Sequence, residues 1–199
     1  MSNPAPTDLA PANFIRDRYD LPMMALHWAI ALLIIAAFVL IQVVDGMPRG
    51  PERSALMGLH KSMGVTVILL VLLRLVWRRI SPPPALPTGT VPLMALAAKG
   101  GHLALYALMI AVPVVGVLMS QAKGRPVEVW GMFALPALVG ENREFGKPLE
   151  EAHELLGNLI LVVAGLHAAA AIFHQWVLKD GLLSRMLPWG ASGRAREVR

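Results

Sequence analysis

Six histidines, His27, His60, His102, His153, His167 and His174, are scattered through an otherwise apolar chain, each in or at the edge of a long hydrophobic run. Ionisable groups are costly in such surroundings and are usually retained for function. His153 and His167 are fourteen residues apart. On an α-helix that separation is a rise of about 21 Å and nearly four whole turns, so both imidazoles leave almost the same face at two depths. His60 and Arg74 repeat the same spacing. The chain has no cysteine, which excludes disulfides, covalent c-type haem attachment and cysteine-ligated iron-sulfur clusters. Histidine is the strongest candidate ligand left, for a metal or for a redox centre.

The elements that position these side chains are membrane spans. Of 199 residues, 56% are hydrophobic and only 16% charged, more apolar than a soluble core of this size requires. Four runs, 23–44, 55–77, 101–120 and 155–178, are long enough to cross about 30 Å of hydrocarbon as helices. Together they define one domain over 23–178, preceded by a segment 1–22 and followed by a basic tail 179–199. The first 22 residues are polar and contain prolines, and the run after them is too long for a signal peptide, so it reads as a retained span. The turn-rich stretch Asp45 to Ser54 makes the first two helices antiparallel neighbours, and Ser81-Pro82-Pro83-Pro84 cannot continue a helix. The longest connection, Gln121 to Glu154, contains Val127 to Phe133, read as a short amphipathic element in the membrane interface. No internal repeat and no soluble module are expected.

Charge orients the bundle. The termini and the second connection carry ten Lys and Arg against five Asp and Glu, whereas the opposite side has seven against eight. The positive-inside rule then puts both termini in the cytoplasm. The net charge of +5 is not gathered on a solvated face, so nucleic acid is not an expected partner; lipid is.

Depth pairs the histidines across helices: His60 with His153 near the outer side, His27 with His167 near the inner side. A coordinatively filled bis-histidine slot in an apolar bundle suits low-spin b-type haem. Zinc suits it less, since structural zinc wants four protein ligands and catalytic zinc three plus water. The expected fold is an all-α integral membrane four-helix bundle with two haem b in its core. One helical turn after each of the four histidines stands a small residue, Ala31, Gly64, Gly157 or Ala171. A flat macrocycle needs room there, although Gly and Ala also let any two membrane helices approach. Arg74 lies at inner-haem depth, where a buried guanidinium would pair with a propionate or else snorkel to the headgroups. His102 and His174 lie outside the ligand set and are candidates for quinone or propionate contacts, or for hydrogen bonds within the bundle.

Several stretches together resemble the bacterial cytochrome b561 family, which is related to the membrane cytochrome b subunits of nickel-iron hydrogenases and formate dehydrogenases. They are Leu26-His27-Trp28, Leu59-His60-Lys61-Ser62-Met63-Gly64, Gly101-His102-Leu103 with Tyr106 and Pro113, His153-Glu154, Gly165-Leu166-His167-Ala168-Ala169-Ala170, and Lys179 to Pro188. The resemblance implies a diheme, quinone-linked electron carrier of the inner membrane, with His27, His60, His153 and His167 as axial ligands. Some stand-alone members are superoxide oxidases, which pass an electron from periplasmic superoxide through both haems to ubiquinone. Lys61, Arg53, Lys123 and Arg125 are then candidates to steer a small anion, against the alternative of ordinary solvated surface. Two other readings remain at this point. One is a membrane subunit that takes electrons from a separate dehydrogenase or hydrogenase. The other is a small non-redox ion or metal transporter.

Overall fold

The computed structural model describes residues 18–86 and 90–189. The acidic and basic residues counted before residue 18 and the tail arginines Arg194, Arg196 and Arg199 lie outside them. Four long helices make up most of the chain that is described: α1 (Leu21–Asp45), α2 (Pro51–Ile80), α3 (Pro92–Ala122) and α4 (Arg143–Phe173). Each has a local reason to begin where it does. The Asp20 carboxylate caps α1 by accepting from the Met23 amide at 3.2 Å, and Asn142 caps α4 by accepting from Phe145 at 3.0 Å. Prolines stand in the first turns of α1, α2 and α3, where the missing N–H costs nothing.

The helices overrun the expected spans. α3 starts at Pro92 rather than Gly101, and α4 at Arg143 rather than Leu155. Hydropathy marks only the part in contact with hydrocarbon. The added turns of α4 carry Glu144, Lys147, Glu150 and Glu151, charges that favour water over lipid, and the helix continues through them. At its other end the α-helix stops at Phe173 and loosens into a π-helical turn, His174–Leu178, closed by Lys179 in the left-handed region. Val127 to Phe133 is not helical: Glu128–Val129 (β1) pairs antiparallel with Phe133–Ala134 (β2) in a small hairpin.

All four helices are long and apolar enough to cross a membrane. The apolar residues are distributed accordingly, with Leu32 64% and Leu166 67% exposed on the outside of the bundle. The close-packed helix pairs are α1 with α2, α2 with α3, and α3 with α4; α4 is not closely packed against α1 or α2. A slot therefore runs along the inner face of α4. Halfway along it the helices meet in an apolar core of Ile30, Val67, Val71, Leu108, Met109 and Ile160. That core separates one histidine level from the other.

Candidate functional site: two histidine pairs along one slot

The slot between α4 and the α1–α2 pair is bridged at two levels. Near the end opposite the termini, the rings of His60 on α2 and His153 on α4 have centroids 6.2 Å apart. Near the termini, His27 on α1 and His167 on α4 are 6.3 Å apart. A metal–imidazole bond is about 2 Å and the ring centre lies about 1.1 Å beyond the nitrogen, so two imidazoles on opposite sides of one iron have centroids roughly 6.3 Å apart. Both pairs have that separation. His102 on α3 comes closer to His167, at 5.3 Å, too near for an iron between the two rings. The three inner histidines do not converge on a point, and no group of three or more metal-binding side chains occurs among the described residues.

The second nitrogen of each ring decides whether it is ready to ligate. His60 Nδ1 lies 3.0 Å from the Ala37 carbonyl oxygen, and His153 Nδ1 lies 2.9 Å from that of Val112. A carbonyl only accepts, so both Nδ1 atoms carry the proton and donate it, leaving both Nε2 lone pairs free. Gly116 makes the second of these bonds accessible. It stands one turn beyond Val112 on α3, and a Cβ there would lie 2.8 Å from His153 Cε1. Its role was not visible in the sequence, where it is one of many small residues in an apolar run.

The inner pair is arranged differently. Arg74 is 9% exposed, and its Nη1 donates to His27 Nδ1 at 3.0 Å. In this arrangement the His27 ring proton sits on Nε2. Binding of iron at that atom requires the proton to shift to Nδ1 and Arg74 to turn to another acceptor. The guanidinium is short of acceptors already: its Nε is buried without a hydrogen-bond partner, and its other neighbour is the face of Tyr106, 5.8 Å from the ring centroid. A buried guanidinium in this condition fits a carboxylate such as a haem propionate. The donor set of both levels thus fits b-type haem, the outer one as it stands and the inner one once Arg74 has an anion.

The small residues divide. Space within 4 Å of a Cβ at Gly157 is open, as a macrocycle beside His153 needs, whereas a Cβ at Gly64 would meet Pro113 of α3 at 3.5 Å. Gly64 therefore serves at least the approach of α2 to α3.

Other expected site residues have protein partners of their own. His174 Nδ1 lies 2.5 Å from Asp180 Oδ2, in the turn that ends the last helix. Arg53 donates to the Val44 carbonyl at 3.1 Å and lies 4.0 Å from Asp45, closing the α1–α2 turn. Lys61 donates to the Pro126 carbonyl at 2.9 Å, and Lys123 is paired with Glu150. Sequence spacing places a cation near a site but does not reveal the open carbonyl or carboxylate that claims it. Of the four candidates for anion steering, Arg125 is exposed.

Near the termini the inner level is roofed by a clasp that sequence reasoning missed. Trp28 lies edge-on to His27 at 5.3 Å and donates to the Met186 carbonyl at 2.9 Å. Trp77 donates to Asp20 at 2.8 Å, and Arg18 to the Leu187 carbonyl. Tyr19 is half-buried beside them; burial raises its pKa above 10.0, although the cations Arg78 and Arg74 pull the other way.

Several known proteins are similar to this chain over most of its length. Cytochrome b561 homolog 2 of Escherichia coli (strain K12) is 35% identical over 181 residues, covering 86% of this chain and 92% of that protein. The probable superoxide oxidase CybB of Yersinia pestis is 33% identical over 172 residues, covering 86% and 96%. Cytochrome b561 homolog 1 of Escherichia coli (strain K12) is 27% identical over 180 residues, covering 86% and 98%. A family model for prokaryotic cytochrome b561 matches residues 18–189, every element described above. With its four apolar helices, the chain belongs to the prokaryotic cytochrome b561 family and is a bacterial multi-pass membrane cytochrome of b-type haem that transfers electrons.

Proposed function

We propose that the chain holds two haem b, one between His60 and His153 and one between His27 and His167, and conducts electrons between a donor on the outer side and a quinone at the inner level. The observation that carries this reading is the pair of matching ring separations, 6.2 and 6.3 Å, at the two ends of one slot. Bound haem supplies reversible one-electron oxidation at each iron. The protein does the rest. The carbonyls of Ala37 and Val112 hold the outer imidazoles in the tautomer that leaves Nε2 free. Arg74 neutralises a propionate at the inner level. The core of Ile30, Val71, Met109 and Ile160 keeps water out of the space between the levels. His102, beside His167, would contact quinone or a propionate.

Superoxide is the proposed donor, and the name of the Yersinia pestis relative supports it. The protein would lie in the bacterial inner membrane with both termini in the cytoplasm, since the termini and second connection carry the basic excess. The alternative, a membrane subunit fed by a separate dehydrogenase, predicts no direct reaction with superoxide. Anaerobic mixing of oxidised protein with superoxide distinguishes the two. Haem reduction followed by quinone-dependent reoxidation supports superoxide as donor; haems that superoxide leaves oxidised, yet a copurifying dehydrogenase reduces, support the subunit reading.

A further inference from the structure

Among the described residues the buried polar or charged side chains are Ser62, Arg74, Ser120 and Gln121. All but Arg74 serve the connection between α3 and α4. The Ser120 hydroxyl donates to the Arg125 carbonyl at 3.0 Å. Gln121 donates to the Pro136 carbonyl at 2.9 Å and accepts from the Leu138 amide at 2.8 Å. The Ser62 hydroxyl accepts from the Trp130 amide at 2.9 Å and lies 3.2 Å from the Glu128 carbonyl. Lys61 takes the Pro126 carbonyl, and the backbone pairs Met132 with Val129 and Leu135 with Val127. The backbone groups held in this way need no water. In lipid every backbone group must be satisfied from within the protein.

Depth gives the same answer. Measured at 1.5 Å per residue from Arg78, Ser62 is about 24 Å and Thr66 about 18 Å along α2, both within a hydrocarbon layer about 30 Å thick. The hairpin is tied to those two positions: its Trp130 indole donates to the Thr66 hydroxyl at 3.1 Å. Val127 and Val129 pack inward on Val65 and Val117. The tip points the other way, with Trp130 46%, Met132 72% and Phe133 56% exposed. Trp130 holds φ 53° and Gly131 φ 68°, a left-handed turn that a bulky residue adopts only under constraint.

We propose that residues 126–138 form a re-entrant hairpin seated in the leaflet opposite the termini, with Trp130, Met132 and Phe133 in contact with bilayer lipid and the exposed Glu128 carboxylate at the headgroup boundary. Lipid is favoured over a protein partner because the apolar tip continues the exposed apolar side of α2, where Leu69 is 59% exposed, and because tryptophan is enriched at the headgroup boundary. Nothing in this inference depends on the haem assignment.

The absence of native cysteine permits a direct test with the full-length, haem-loaded protein. Met132→Cys, Phe133→Cys and Arg125→Cys are each made singly, labelled with a nitroxide and reconstituted in vesicles of phosphatidylethanolamine and phosphatidylglycerol. Collision rates with dissolved oxygen and with a water-soluble nickel chelate are compared, and an unchanged reduced haem spectrum serves as the check on folding. Labels at 132 and 133 should meet oxygen severalfold more often than nickel, with the ratio reversed at 125. Nickel access at 132 and 133 equal to that at 125 would overturn the proposal in favour of a water-exposed loop. Shielding from both reagents would overturn it in favour of a protein contact.

Discussion

Gly116 on α3 stands so close to His153 on α4 that a Cβ in its place would lie 2.8 Å from the imidazole Cε1 and 3.0 Å from Nδ1. The ring cannot retreat without giving up its bond to the Val112 carbonyl. Overpacking of this kind costs about 1–3 kcal/mol. Gly116→Ala should therefore weaken the outer haem and spare the inner one, seen as partial haem loss in the purified protein. Gly157→Leu should have the same outcome for a different reason, since the space it fills is open in the polypeptide and is assigned to the macrocycle. Full haem content in Gly157→Leu would contradict that assignment.

Arg74 places a buried positive charge beside the inner slot, 3.0 Å from His27. A charge about 10 Å from the iron at an effective dielectric near 20 is worth roughly 1–2 kcal/mol, or about 40–80 mV for a one-electron couple. Arg74→Gln should lower the potential of one haem by that order and leave the other in place. A redox titration monitored by absorbance reads both.

Arg53 is expected to matter for stability rather than rate. Its bond to the Val44 carbonyl closes the α1–α2 turn, and loss of one such charge-assisted bond costs on the order of 1–2 kcal/mol. Arg53→Ala should lower the thermal midpoint while leaving the rate of haem reduction by superoxide within about twofold of the parent. A rate that falls tenfold in a normally folded variant would assign Arg53 a role as an anion guide.

Tyr19 and Tyr106 are the two tyrosines, so Tyr106→Phe leaves one phenol to titrate. Burial holds Tyr19 above 10.0. Its raised folded-state pKa makes it contribute to stability at neutral pH, a contribution lost as pH rises past 10 and through the folded value. In an alkaline absorbance titration of Tyr106→Phe, phenolate should appear only above pH 10 while the protein is folded, and at about 10 in denaturant.

The helices and the proximity of His60 to His153 and of His27 to His167 were legible because both depend on regular spacing. Hydropathy over some twenty residues reveals a span, and a fourteen-residue interval between His153 and His167 survives any uncertainty about where the helix starts. Contacts between distant segments were not legible. No pattern links Arg53 to Val44, Lys61 to Pro126 or Gly116 to His153, since each depends on how two helices are offset along their axes. The hairpin was missed as strand because its β1 and β2 are two residues each, too short for an alternating pattern. His102 was put outside the ligand set, and it stands at the inner level, 5.3 Å from His167.

Haem content and spectra of the single variants His60→Ala, His153→Ala, His27→Ala and His167→Ala measure which histidines share an iron. About two haems per chain are expected in the parent and about one in each variant. His60→Ala and His153→Ala should lose the same haem, recognised by its potential, and His27→Ala and His167→Ala the other. If His60→Ala and His27→Ala removed the same haem, or if His102→Ala emptied the inner level while His27→Ala left it filled, the pairing would be contradicted.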